Sequence, residues 1–109
     1  MTNIYETTII VKPDLANDQL KNLTNSIDQF FSENNVPIGY KEDWGIKNLK
    51  SSINKYSKGL FKFMRFNAST DFPKKLDGFL KFNTDCLRFL ITKSLNEINE
   101  PTPQVNKDN

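Results

Sequence analysis

The sequence predicts an α+β fold of the ferredoxin-like type, in which two helices cover one face of a four-stranded antiparallel sheet. Three observations support this prediction. Segments with strand and helix patterns follow one another in the order β-α-β-β-α-β. Each helical segment has one apolar stripe, as a helix needs when it packs on a sheet. Right-handed crossovers put both helices on the same face, so the other face of the sheet is expected to be free.

The first strand and the first helix have recognisable limits in the sequence. Residues 4–12 are rich in β-branched and aromatic side chains and end at Pro13-Asp14, a turn pair, so they predict a central strand. Asn17 or Asp18 is the expected cap of a helix that ends near Asn34-Asn35. Its apolar stripe consists of Leu20, Leu23, Ile27 and Phe30 or Phe31.

The middle of the chain predicts two further strands. From Val36 the pattern has a period of two, and Gly45 interrupts it as a β-bulge would. Ile46, Leu49 and Ile53 are then expected to anchor an irregular basic connection. A turn at residues 57–59 leads into the third strand, residues 60–68. In that strand Phe61, Phe63 and Arg65 are expected to look out of the free face of the sheet, where exposed aromatic rings indicate a binding surface.

The last elements and the domain limits follow from composition. A helix is expected to start at residues 69–71, with Pro73 in its first turn and Leu76, Phe79 and Leu80 on its apolar face. Residues 86–93 predict the fourth strand. We therefore expect one domain at residues 1–95 and a flexible tail at residues 96–109.

Positive charge is concentrated in the centre of the chain. The net charge is only +2, but residues 44–66 hold six of the fifteen basic residues and no acid, and no carboxylate occurs between Asp43 and Asp71. Aromatic residues are threaded through this basic segment, a combination that suits a polyanion with flat bases. The alternative is a lysine-rich hairpin that keeps the protein soluble while its apolar residues face a core.

Composition excludes several kinds of site. The single cysteine, Cys86, rules out an internal disulfide and fits a reducing compartment. The chain has no histidine, so Ser-His-Asp and Cys-His catalytic pairs and zinc sites with His ligands are impossible. We expect no cofactor and no metal. No apolar run approaches the roughly 18 residues that a membrane span needs, and we expect no targeting peptide at the N-terminus.

Several short patterns occur in a fixed order along the chain. Tyr5-Glu6 lies in the first strand, and Pro13 and Leu15 follow it. Residues 44–49 read Trp-Gly-Ile-Lys-Asn-Leu and precede Ile53, Lys55 and Gly59, and near the end Asn83 leads to Leu87-Arg88-Phe89-Leu90 and Lys93. Together, over residues 4 to about 93, these patterns resemble the bacterial small-subunit ribosomal protein S6 family.

The resemblance implies a function, partners and a set of contact residues. It implies a structural constituent of the small ribosomal subunit that binds the central domain of small-subunit ribosomal RNA together with ribosomal protein S18. It places the chain in the cytoplasm, in a bacterial ribosome. An organellar ribosome also fits, because the abundance of Asn, Lys and Ile, with only two Arg, indicates an AT-rich coding sequence. The basic residues expected to bind RNA are Lys47, Lys50, Lys55, Lys58, Arg88 and Lys93. The residues expected to contact the protein partner are Ile46, Leu49, Ile53, Phe61 and Phe63.

Other functions on the same fold remain open at the level of sequence. Residues 58–66 come close to the signature strand of an RNA-recognition motif that binds single-stranded RNA, although an extra residue puts the aromatics out of phase. An enzyme such as a small phosphatase is disfavoured, because the first turn contains no glycine for a phosphate cradle and the adjacent Glu42 and Asp43 point to opposite faces of a strand. A small-ligand regulatory domain would leave the acid-free basic segment unexplained.

Overall fold

The computed structural model describes residues 2–94 of the chain. They form six elements in the predicted order: β1 Thr2–Val11, α1 Asn17–Glu33, β2 Ile38–Ile53, β3 Tyr56–Ser69, α2 Phe72–Lys81 and β4 Cys86–Lys93. The predicted tail, residues 96–109, lies outside the described residues.

The four strands form one antiparallel sheet in the order β2-β3-β1-β4. The ferredoxin-like fold and the central position of β1 are therefore confirmed. Odd-numbered residues of β1, such as Tyr5, Ile9 and Val11, are buried in the core that the helices cover. Even-numbered residues of β1 point to the opposite, open face, where Glu6 lies across from Arg65 and Ile10 across from Phe61.

The first helix begins at a different cap from the predicted one. The cap residue is Ala16, whose backbone N–H donates to the side chain of Gln19 over 3.0 Å. Neither Asn17 nor Asp18 is the cap residue, because both already belong to the helix. The predicted end is confirmed, since Asn34 is the C-terminal cap and Asn35 takes a φ of 58°. None of the described helices is long and apolar enough to cross a membrane.

The centre of the chain forms a long hairpin instead of an irregular connection. Strand β2 continues for 16 residues to Ile53, and β3 already begins at Tyr56. Asn54 and Lys55 make the turn, and both have positive φ, as a two-residue hairpin turn requires. The predicted turn at residues 57–59 is therefore wrong. The bulge at Gly45 is confirmed, because the β2–β3 register shifts there and its φ is +77°.

The expected exposure of Phe63 and Arg65 is also wrong. Both residues point to the open face as predicted, yet Phe63 is 3% exposed and Arg65 is 0% exposed. Side chains from the neighbouring strand β2 cover them, which the pattern of β3 alone does not reveal. Phe61 on the same face is half-buried.

Candidate nucleic-acid and protein interface

A groove of about 1010 Å³ opens on the sheet face that the helices leave uncovered. All four strands contribute to it, and the distal part of the β2–β3 hairpin forms one wall. Its lining residues are Thr8, Ile10, Trp44, Ile46, Lys47, Asn48, Leu49, Lys50, Lys58, Phe61, Arg88, Phe89 and Leu90. No acidic side chain from the described residues 2–94 is among them. Two of the large apolar side chains are strongly exposed, Ile46 at 57% and Leu90 at 63%.

In the hairpin wall, the backbone of β3 at Gly59 lies close to the side chain of Ile10 on β1. A Cβ atom at this position would lie 2.3 Å from Cγ2 of Ile10 and 3.6 Å from Cδ2 of Leu49. Any side chain larger than hydrogen would therefore push β3 and Ile10 apart. At the tip of the hairpin, the hydroxyl of Tyr56 donates to the carboxylate of Asp14 over 3.2 Å and so ties the tip to the loop after β1.

A buried ion pair also lies on the open face of the sheet. Glu6 and Arg65 are register partners on neighbouring strands, and the guanidinium Nη2 of Arg65 lies 3.0 Å from Oε2 of Glu6. Ser94, just after β4, donates its hydroxyl to the same carboxylate oxygen over 2.7 Å. The guanidinium carbon of Arg65 is 5.4 Å from the ring centre of Tyr40 and 5.3 Å from that of Phe63. These contacts neutralise and enclose a charge that would otherwise be costly to bury.

Three alternate residues of β2 carry the polar network from this ion pair to the groove. Tyr40, Glu42 and Trp44 share the open face because strand side chains alternate. The carboxylate of Glu42 accepts a hydrogen bond from Nε1 of Trp44 over 2.6 Å and another from the hydroxyl of Tyr40. The bond to Glu42 raises the pKa of the Tyr40 phenol. The indole of Trp44 stacks on Phe63, with ring centres 5.4 Å apart and planes 9° apart.

The groove brings together residues that the sequence assigned to two different partners. Four of the six predicted RNA-binding residues line it: Lys47, Lys50, Lys58 and Arg88. Three of the five predicted protein-contact residues line the same groove: Ile46, Leu49 and Phe61.

The other predicted residues lie elsewhere. Lys55 is exposed in the hairpin turn and Lys93 is exposed at the end of β4. Ile53 is half-buried next to the turn. Phe63 is enclosed beneath Trp44, so it supports the groove and is not itself available to a partner.

The predicted contact residues did not include six of the lining residues: Thr8, Ile10, Trp44, Asn48, Phe89 and Leu90. For Thr8, Ile10 and Leu90 the signal is the strand register, because Thr8 pairs with Leu90 and Ile10 with Arg88. Alternation along β1 and β4 assigns these residues to the open face once the two strands are known to be neighbours.

The described residues contain no group of three or more His, Cys, Asp or Glu side chains that could hold a metal ion. Cys86 is a free thiol at the start of β4, and burial raises its pKa to about 11. At neutral pH the thiol is protonated, and a protonated thiol is a poor nucleophile and metal ligand.

Comparisons with known proteins agree on one family. A family model described as "Ribosomal protein S6" matches residues 4–93. Small ribosomal subunit protein bS6 of Geobacter metallireducens is 30% identical over 105 residues, which cover 96% of this chain and 89% of that protein. The bS6 protein of Aquifex aeolicus is 31% identical over 87 residues, 79% of each chain. The crystal structure of 30S ribosomal protein S6 from Thermotoga maritima has the same fold, with a TM-score of 0.79 at 19% identity, and the match covers 86% of this chain and 89% of that one.

Proposed function

Because the chain belongs to the ribosomal protein S6 family, and so is a structural constituent of the small ribosomal subunit, we propose that its groove is the surface that joins it to the other components of that subunit. The observation that carries the proposal is the composition of the groove. Basic residues border an apolar floor, and residues 2–94 contribute no acid to its lining. The relatives are bacterial, which places the chain in a cytoplasmic ribosome.

The basic residues are proposed to contact the central domain of small-subunit ribosomal RNA. Lys47, Lys50 and Lys58 come from the two arms of the hairpin, and Arg88 faces them from β4. Ammonium groups neutralise phosphates as point charges, whereas the planar guanidinium of Arg88 can donate two parallel hydrogen bonds to one phosphate. Lys55 and Lys93 extend the same contact beyond the groove. Such binding depends on salt and is guided mainly by the shape of the RNA.

The apolar floor is proposed to contact a second ribosomal protein, and we propose ribosomal protein S18 as that partner. Ile46 and Leu90 expose more than half of their surface, and Phe61 and Leu49 lie beside them. Apolar surface of this extent is unfavourable in water and is stabilised when a partner covers it. The proposal contains no catalytic step, and the S6 family is a family of structural proteins.

The RNA part is tested by filter binding to purified small-subunit ribosomal RNA in the presence of S18. The variant K47E/K50E/K58E/R88E should bind more weakly, and the slope of log affinity against log salt should fall by about one for each phosphate that the variant no longer neutralises. The matched control is K21E/K74E/K75E/K81E, which reverses four exposed lysines on the helices and should bind like the wild type. Equal binding by the groove variant and the control would contradict the proposal.

A further inference from the structure

Among the aromatic side chains that line the groove, Trp44 is held by both a ring stack and a hydrogen bond. Phe63 stacks against its indole, and the carboxylate of Glu42 accepts a hydrogen bond from its Nε1. The indole is half-buried and lines the groove. Since both its plane and its Nε1 are fixed, the ring loses little conformational freedom when a partner binds.

We propose that Trp44 is the anchor of the protein contact in the groove and that Glu42 is the residue that positions it. This inference rests on the proposed function and adds to it two residues that the sequence did not assign to a contact. Tryptophan is enriched among the few interface residues that carry most of the binding energy, particularly where apolar neighbours exclude water around it. Ile46, Phe61 and Leu90 provide such neighbours in the same groove.

Glu42 positions Trp44 through two hydrogen bonds that its carboxylate accepts. One comes from the indole Nε1 and the other from the hydroxyl of Tyr40, which itself lies beside Arg65. The orientation of Trp44 is thereby connected to the enclosed ion pair of Arg65 and Glu6. Loss of the carboxylate would leave the indole free to rotate about its side-chain bonds while the apolar stack on Phe63 remains available.

The occupant that these contacts favour is an apolar surface of a partner protein. A second copy of this chain is disfavoured, because the groove of that copy would bring another set of Lys47, Lys50, Lys58 and Arg88, and no acid from residues 2–94 lines it. A nucleic acid would find cations at the rim, but it has no aliphatic surface to cover Ile46 and Leu90, which are 57% and 63% exposed. A stacked nucleobase on Trp44 is therefore the competing outcome of the test.

The test measures the affinity of the full chain for purified S18 by calorimetry, without RNA. Trp44→Ala should weaken binding by at least about 30-fold, the loss typical of an interface anchor. Phe82→Ala is the matched control: it truncates a ring that is 88% exposed beyond the end of α2 and outside the groove, and it should change nothing. Trp44→Phe retains a ring that can stack on Phe63, and it should fall between the wild type and Trp44→Ala.

The role of Glu42 is tested by its conservative and its apolar substitutions. Glu42→Gln keeps an oxygen that accepts from Nε1 of Trp44 and should bind S18 within about threefold of the wild type, whereas Glu42→Leu should bind about tenfold more weakly. Trp44 is the only tryptophan of the chain, so its fluorescence reports its environment directly. Acrylamide should quench it more strongly in Glu42→Leu than in Glu42→Gln, a difference that a general loss of stability would not produce.

Three results would overturn the inference, and one of them also overturns the proposed partner. Equal S18 affinity of Trp44→Ala and Phe82→Ala would remove Trp44 as the anchor, while the family role and RNA binding would stand. If an adenine decanucleotide quenches the fluorescence of Trp44 and an abasic strand of equal charge does not, the indole stacks on nucleobases and is not a protein anchor. If the wild type itself does not bind S18, both the proposed partner and this inference fail.

Discussion

At the scale of single residues, the open face illustrates how neighbours determine burial. Arg65 is among the largest fully buried side chains of the described residues, although an arginine on an uncovered sheet face is expected to be exposed. Alternation along β3 predicted the face of Arg65 and Phe63 correctly. Their exposure was predicted wrongly, because the covering rings of Tyr40 and Trp44 belong to β2. Burial of this kind depends on the pairing of two strands and cannot be derived from either strand alone.

The hydroxyl of Thr7 is the one buried polar side-chain atom without a hydrogen-bond partner among residues 2–94. Thr7 is 0% exposed on the face that the helices cover. Thr7→Val retains the β-branched shape and removes the unsatisfied hydroxyl, so it should raise the free energy of unfolding by about 1 kcal/mol. Urea denaturation measures the change, and Thr92→Val, at an exposed site on β4, is the control. A loss of stability in Thr7→Val would show that the hydroxyl is solvated in the folded protein.

The thiol of Cys86 gives a prediction about pH. Burial raises its pKa from 9.0 to about 11, so the folded state favours the neutral thiol. Its contribution to stability is therefore fully present below pH 9 and is lost as the pH rises toward 11. Alkylation by iodoacetamide should be slow in the folded protein at about pH 8 and should accelerate as the pH rises toward the raised pKa, while urea-unfolded protein reacts readily at the lower pH. Rapid alkylation of the folded protein near pH 8 would contradict the raised pKa of the Cys86 thiol.

At the scale of elements, the β2–β3 hairpin shows where sequence reasoning reached its limit. Ser57-Lys58-Gly59 has the composition of a turn, yet the chain turns at Asn54 and Lys55. Gly59 is needed for a different reason, its close approach to Ile10. Sequence identifies a glycine, but it cannot distinguish a turn from a tight contact between strands that are distant along the chain. Lys47, Lys50 and Lys58 therefore lie on two long strands, and not on the irregular connection and the turn that the sequence predicted.

Gly59→Ala should disturb the hairpin wall of the groove. Its new Cβ would lie 2.3 Å from Cγ2 of Ile10, so the free energy of unfolding should fall by about 1–3 kcal/mol. In an Ile10→Ala background the same substitution should cost less, because the conflicting methyl group is absent. Gly78→Ala is the matched control, since an added Cβ meets nothing within 4 Å there and alanine should stabilise α2. If Gly59→Ala lowers the free energy of unfolding equally in the wild-type and the Ile10→Ala backgrounds, the close approach of Gly59 and Ile10 is contradicted.

At the scale of the whole molecule, the fold could be predicted from the sequence and the groove only in part. The order of strand and helix patterns, together with right-handed crossovers, leaves few arrangements besides the observed sheet β2-β3-β1-β4. The groove, in contrast, depends on the length and position of the hairpin and on the register of four strands. The sequence therefore supplied two separate sets of contact residues, and the structure brings seven of those eleven residues to one surface.

Sedimentation of the native chain tests most directly whether it is a constituent of the small ribosomal subunit. A lysate of cells that express the chain is separated on a sucrose gradient at low magnesium, and each fraction is probed for the chain. We expect the chain to co-sediment with the small ribosomal subunit. Added salt should release it, and the variant K47E/K50E/K58E/R88E should not co-sediment, while K21E/K74E/K75E/K81E should stay bound. A wild-type chain that remains at the top of the gradient would contradict its role as a constituent of the small subunit.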